Sequence, residues 1–253
     1  MKILNICFSP TGGTGKNADM LAARLSGSQE FIDLTDNAKD FSEVSVSKDD
    51  VVLISVPSYG GRVPAPAAGR LSAIKGNGAR AVILCVYGNR AYDDTLAELL
   101  DIARTAGFNV IAAVAAVAEH SIVRKYAAGR PDAKDRERLE SFAARIQEKL
   151  SGGNLDVPAV PGNRPYRKAG KAGLVPKPGK ECTSCGLCAA KCPVGAISKS
   201  DPHKVNSDIC ISCMRCVSVC PNNTRKVSKL MISMVGTMLK KACSVRKECE
   251  LYI

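Results

Sequence analysis

The chain has 253 residues, 45% of them apolar, enough for one large domain or a medium domain plus a small one, and a formal charge of +12. The charge is uneven: residues 1–150 carry 19 Lys+Arg against 18 Asp+Glu (net +1), and residues 151–253 carry 17 against 6 (net +11). Charge alone does not make the second half a nucleic-acid binder, because no basic recognition helix or aromatic-basic strand accompanies it. Eight of the twelve cysteines lie between 182 and 220, where metal-bound thiolates would cancel positive charge.

The start, MKILNICFSP, has too short an apolar run for a signal peptide. The longest apolar runs, FNVIAAVAAVA at 108–118 and LMISMVGTML at 230–239, are about half of the roughly 20 residues a membrane span needs. The expectation is a cytoplasmic protein without a membrane span. In that setting, abundant cysteine points to metal or redox use rather than disulfides.

In chain order, KILNICF (2–8) reads as a strand running into a glycine loop, and NADMLAARL as a helix with apolar positions three and four apart. EFIDL (30–34) and DVVLISV (50–56) are strands, PAAGRLSAI (66–74) a helix and ARAVILCVY (79–87) a buried strand. DDTLAELLDIARTAG is a helix with Asp93 and Asp94 at its positive start and Gly107 past its end. FNVIAAVAAVA is the fifth strand, and residues 131–150 form a polar-faced helix opened by proline. Five strands alternating with helices predict a doubly wound α/β domain over residues 1–150, with a five-stranded parallel sheet covered on both faces. Residues 151–179 hold five prolines and six glycines and read as a linker packed across the first domain by Tyr166 and the prolines. Residues 180–225 hold an internal repeat, and 226–253 a helical, basic tail.

The repeat is the strongest signal. Cys182, Cys185, Cys188 and Cys192, followed by Pro193, give C-x₂-C-x₂-C-x₃-C-P, and Cys210, Cys213, Cys216 and Cys220, followed by Pro221, give it again. Three sulfurs from one tight turn cap three irons of a cubane and the fourth comes from elsewhere, so the spacing predicts cross-ligation. One 4Fe-4S cluster takes Cys182, Cys185, Cys188 and Cys220; the other takes Cys210, Cys213, Cys216 and Cys192. A structural zinc would leave the third cysteine of each run and the proline without a role. The segment resembles the bacterial two-cluster ferredoxin, which implies a small pseudo-symmetric α+β fold carrying electrons singly and held together partly by its clusters.

The stretch SPTGGTGKN (9–17) has three readings as a phosphate cradle. As a P-loop it lacks the first glycine, replaced by Pro10, and the hydroxyl after lysine, replaced by Asn17. As a dinucleotide fingerprint it has four extra residues between strand and first glycine. As a nest, Ser9, Thr11 and Thr14 offer hydroxyls, Gly12, Gly13 and Gly15 let N–H groups close in, and the next helix points its positive end at the anion. Ser9-x-Thr11-Gly12-x-Thr14 resembles the FMN phosphate loop of flavodoxins. That resemblance, over residues 1–150, implies FMN at the carboxyl ends of the strands. The flavin ring would then meet Tyr59, Gly60 and Arg62 after strand three and Gly88, Asn89, Arg90 and Tyr92 after strand four. Tyr59 has stacking or plain packing open to it, and Tyr92 a ring contact or a helix-capping role; Tyr87 reads as core. Arg62 and Arg90 near a flavin would favour its anionic reduced form and raise the couple, unless they face solvent.

Other residues carry weaker readings. His120, just after strand five, is either a proton donor to a substrate above the flavin or a plain loop histidine. His203 reads as a turn residue, Cys7 and Cys85 as small core side chains, and Cys243 and Cys249 as free thiols. Met231, Met234 and Met238 read as a helix face packed on the body, and Lys240, Lys241, Arg246 and Lys247 as a solvated or partner-facing basic end. The expected function is electron transfer between two clusters and FMN in an oxygen-poor setting. Either a small molecule is reduced at the flavin, or the chain is a carrier between redox proteins with no substrate of its own. A redox-sensing nucleic-acid binder rests on charge alone. No nicotinamide-binding domain is visible, so the expected electron donor is a protein.

Overall fold

A computed structural model describes residues 2–170 and 172–253. The parallel strands β1 (Lys2–Cys7), β2 (Ser28–Asp33), β3 (Val51–Pro57), β4 (Arg80–Tyr87) and β5 (Asn109–Val117) alternate with α1 (Gly13–Ala22), α2 (Ala65–Ala73), α3 (Thr95–Thr105) and α4 (Ala133–Ser151). Two single-turn helices follow, α5 (Leu187–Ala190) and α6 (Arg215–Ser218), then α7 (Lys229–Cys243) and a last strand, β6 (Glu250–Tyr252).

The strand order is β2-β1-β3-β4-β5-β6. Its first five members are the 2-1-3-4-5 order of the flavodoxin-like doubly wound fold, in which ligands bind beyond the carboxyl ends of the strands where the order reverses. Because the strands are covered on both faces, both sets of alternating side chains are apolar. Leu4, Ile6, Ile54 and Ile83 pack under α2 and α3. Ile3, Leu53, Val82 and Val114 pack under α1 and α4, against Leu21, Leu139 and Ile146. Asp132 caps α4 in a reciprocal box with Asp135, and Gly107, at φ +88°, ends α3.

The sheet departs from the five-stranded expectation at its end. β6 adds antiparallel to β5, pairing Ala113 with Tyr252 and Ala115 with Glu250, and so covers an otherwise open edge. The tail is therefore not a free basic end. Arg246 bonds Asp132 at 2.7 Å, and Lys247 Nζ donates to the carbonyls of Asn89, Arg90 and Ala242. Lys240 and Lys241 remain exposed. The methionine stripe also differs: Met231, Met234 and Met238 are 41%, 59% and 80% exposed, while Ile232 and Val235 on the other face of α7 pack with Leu174, Met214 and Val227.

The proline-rich segment lies along α3. Asp94 accepts from the N–H of Asn163 (2.8 Å) and of Arg167 (2.7 Å), and Asp101 holds Arg164 (2.7 Å) and Tyr166.

Candidate functional site

The glycine loop joins β1 to α1. Gly12 sits at φ +90° as the residue before the helix, with no side chain capping the helix start, so the first-turn N–H groups of Gly13 and Thr14 lack intrahelical acceptors. Ser9 Oγ accepts from the Gly15 N–H at 2.8 Å and braces the loop. A side chain at Gly13 would press on Ala118 Cβ at 3.0 Å, and one at Gly15 on Ser9 Oγ at 3.3 Å. Thr14 is buried, whereas Thr11 is exposed at the mouth. The loop thus offers backbone donors and a helix N-terminus at the switch point, which suits a phosphate.

The loop after β3 is a tight turn: Tyr59 and Arg62 exchange backbone hydrogen bonds at 3.0 and 3.2 Å, and Gly60 and Gly61 have φ of +61° and +84°. A Cβ on Gly61 would fall 2.3 Å from Asp93 Oδ2. The turn holds Tyr59 half-buried, and its hydroxyl is pushed well above the usual range by burial and by the neighbouring Cys213 sulfur.

Several expected ring contacts are committed elsewhere. Arg62 forms a fork with Glu98 (Nε and Nη2 both 2.7 Å) and donates to the Arg167 carbonyl at 2.6 Å. Arg90 pairs with Asp93. Each cation thus faces a carboxylate, although Asp93 is shared with Arg167, and this weakens the basis for a raised flavin couple. Asn89 is 4% exposed and binds the tail, donating to the carbonyls of Cys243 (3.1 Å) and Val245 (2.9 Å) and accepting from the Lys247 N–H (3.0 Å). The Tyr92 hydroxyl bonds Glu250 at 2.7 Å and the Tyr252 hydroxyl at 2.8 Å, so it serves β6. Tyr87, as expected, is core. Gly88 lies beneath His120, whose Cδ2 is 2.7 Å from where a Gly88 Cβ would stand. His120 Nδ1 accepts from the N–H groups of Ile122 (3.2 Å) and Val123 (3.1 Å). Its proton therefore sits on Nε2, and burial holds its pKa below 6.5.

The cysteines line two small cavities. Cys182, Cys185, Cys188 and Cys220 line one; Cys192, Cys210, Cys213 and Cys216 line the other. In each repeat the backbone turns the same way, with Ser184 and Ser212 both at φ +53°, and Gly186 (+75°) matched by Met214 (+62°). Among the described residues, no three histidine, cysteine or carboxylate groups converge tightly enough for a single metal ion. Four sulfurs spaced around a cavity suit a cluster instead. As thiols, Cys213 and Cys216 are pushed up by burial to about 12 and about 11, so cluster assembly there must expel protons. At Cys220 burial is outweighed by the Thr224 hydroxyl and the N–H groups of Arg225, Thr224 and Asn222, bringing it to about 7.

The two cavities differ in surroundings. Cys185 in the first is exposed, while Cys192 and Cys213 in the second are buried. The second is docked on the glycine-loop edge of the sheet. Asn37 donates to the Cys192 carbonyl at 2.8 Å, Arg70 to the Pro193 carbonyl at 2.5 Å, and Arg215 Nη1 to the Pro10 carbonyl at 3.1 Å. Among the described residues, Arg215 Nε is buried without a hydrogen-bond partner. Sequence reading missed Arg215, which looks like one more basic residue between two cysteines until the fold brings it to Pro10.

The 4Fe-4S dicluster domain family matches residues 181–225. Ferredoxin-2 of Chlorobaculum tepidum is 40% identical over 48 residues, covering 16% of this chain and 77% of that protein. The chain belongs to the two-cluster ferredoxins. It carries this ferredoxin module behind a flavodoxin-like domain. Polyferredoxin MvhB of Methanothermobacter thermautotrophicus is 32% identical over 57 residues, 22% of this chain, and the chain spans 14% of that protein's length. A flavodoxin from the domain Archaea superposes with a TM-score of 0.43 at 16% identity, covering 60% of this chain and 99% of its own; the strand order, not that likeness, carries the flavodoxin-like assignment. No helix among the described residues is long and apolar enough to cross a membrane.

Proposed function

We propose that the chain is an electron-transfer flavoprotein in which single electrons pass between a distal cluster on Cys182, Cys185, Cys188 and Cys220, a proximal cluster on Cys192, Cys210, Cys213 and Cys216, and FMN. The cofactor's phosphate would be held by Ser9, Thr11, Gly12, Gly13, Thr14 and Gly15, with Tyr59, Gly60 and Gly88 at its ring. FMN supplies the exchange between one-electron and two-electron chemistry. The observation that carries this reading is the docking of the proximal cavity: its loop touches Pro10 through Arg215 and adjoins Tyr59 through Cys213.

Of the two function classes, a carrier between redox proteins is favoured. The second half of the chain contacts every strand-end loop expected around the flavin: Arg215 the loop after β1, Arg167 the loop after β3, residues 243–247 the loop after β4, and α7 the loop after β5, where Tyr126 bonds the Gly236 carbonyl. Little of that edge is left for a substrate. The reductase reading has one observation of its own, the fixed Nε2–H of His120. An electron partner with an acidic face suits the exposed lysines Lys177, Lys180 and Lys226 near the distal cavity.

The deciding experiment is anaerobic: iron, sulfide and flavin content, with the visible spectrum followed through a dithionite titration. About eight irons and one FMN per chain, both bleaching, are expected. Eight irons with no retained or added FMN would overturn the flavin half of the proposal and leave the ferredoxin half standing.

A further inference from the structure

The internal repeat sets two positions side by side. Cys192-Pro-Val-Gly-Ala-Ile197 and Cys220-Pro-Asn-Asn-Thr-Arg225 are equivalent six-residue runs, so Arg225 stands where the first copy has isoleucine. Ile197 is 4% exposed and Arg225 2%. Repeat symmetry therefore leads to a buried apolar residue, and the chain instead buries a guanidinium. A fully buried cation is expensive unless an opposite charge compensates it.

Among the described residues, no carboxylate is paired with Arg225 to supply that charge. Its Nη1 donates to the Pro176 carbonyl at 3.0 Å and its other terminal nitrogen to the Pro202 carbonyl. These satisfy donors without neutralising charge. Ion pairs elsewhere in the described chain, such as Arg130 with Asp135, show what a carboxylate-paired buried arginine looks like here; Arg225 has none. What it does adjoin is sulfur, since it lines both cysteine cavities.

We infer that Arg225 is the shared counter-charge of the two clusters, standing between them and stabilising the more negative, reduced state of each. The inference rests on the cluster assignment above. A cation beside a cluster favours the added electron by Coulomb attraction, which is strong in a buried setting. Because one residue faces both cavities, its removal acts on both clusters together.

The test compares Arg225→Gln, which keeps amide donors without charge, Arg225→Met, which keeps the bulk, and Arg225→Lys, which keeps the charge. Midpoint potentials are read by electron paramagnetic resonance during an anaerobic redox titration, with iron content as the control. Expected in Gln and Met variants is about a tenfold fall in the one-electron reduction constant of each cluster, about 59 mV more negative, with Lys close to the parent. Unchanged potentials in iron-replete neutral variants would overturn the inference, as would a shift in one cluster only, or a Lys variant that shifts as far as Met. Should the neutral variants fail to hold iron, a Lys variant retaining about eight irons supports the charge role, and one that also loses them refutes it. A parent protein without clusters would instead refute the cluster assignment itself.

Discussion

Asn37, just past β2, donates its amide N–H to the carbonyl of Cys192 at 2.8 Å. One hydrogen bond thus ties the switch-point side of the flavodoxin-like sheet to a cysteine of the proximal cavity. Arg70 on α2 reinforces it by bridging the Leu34 carbonyl (2.7 Å) and the Pro193 carbonyl (2.5 Å). Replacing Asn37 by Ala is expected to cost about 1 kcal/mol and Arg70 by Ala about 2 kcal/mol. In the double variant, cluster bleaching should precede loss of far-ultraviolet ellipticity in anaerobic urea. If the two signals still fall together at the parental midpoint, these contacts do not hold the module.

Arg215 makes a second expectation. Its guanidinium lies on the glycine loop with Nε lacking an acceptor, so an FMN phosphate there would gain a charge-assisted donor. Arg215→Ala is expected to weaken FMN about tenfold or more, measured by quenching of flavin fluorescence. Arg215→Lys should recover part of the loss. Equal affinity in all three proteins would remove Arg215 from the flavin site.

Cross-ligation can be read from iron counts. Cys182→Ser and Cys220→Ser line the same cavity, so the double variant should keep about four of about eight irons, no fewer than either single. Cys216→Ser with Cys220→Ser spans both cavities and should lose nearly all. The opposite ranking would mean that each cysteine run serves its own cluster.

The parts of this architecture legible in the sequence are those governed by local rules. Strands such as VVLISV are buried at every position and apolar at all but Ser55, because both faces of a parallel sheet are covered, and cysteine spacing follows from the shape of a cubane. What was not legible depends on contacts between distant segments. Tyr92 and Glu250 are 158 residues apart, and nothing local in ELYI, a short run at a chain end, marks it as a sheet strand. Met231 and Met238 follow a helical period, but periodicity does not say which of two faces packs, and here Ile232 and Val235 take the inner one. Arg62 and Arg90 lie on the loops after β3 and β4; Asp93 is a local partner three residues from Arg90, whereas Glu98 meets Arg62 only once α3 is in position.

Asp94 gives an expectation about the proline-rich segment. Its carboxylate accepts from the Arg167 N–H and from the N–H and side-chain amide of Asn163, which hold its pKa below 3.8. Asp94→Ala strands those donors, at a cost of about 1–3 kcal/mol, and should speed proteolytic cleavage between residues 157 and 170. Because the folded pKa is lowered, the anchoring is present above pH 3.8 and weakens as the pH falls through the folded value. A cleavage rate equal to that of the parent at neutral pH would show that Asp94 is not the anchor.

His120 gives the opposite sign from the usual paired histidine. Burial first, and the Arg90 charge in addition, keep the folded pKa below 6.5, while Nδ1 accepts from Ile122 and Val123. Between the folded value and 6.5 the unfolded chain binds a proton that the folded chain refuses, so stability rises with pH across that window. The contribution is full above 6.5 and is lost as the pH falls toward the folded pKa. His120→Gln cannot titrate, so its urea midpoint should lose less than the parent's between pH 7.5 and pH 5.5. Parallel pH profiles for the two proteins would mean that His120 is protonated as readily folded as unfolded, and the neutral Nε2 donor would have to be abandoned along with the reductase reading it supports.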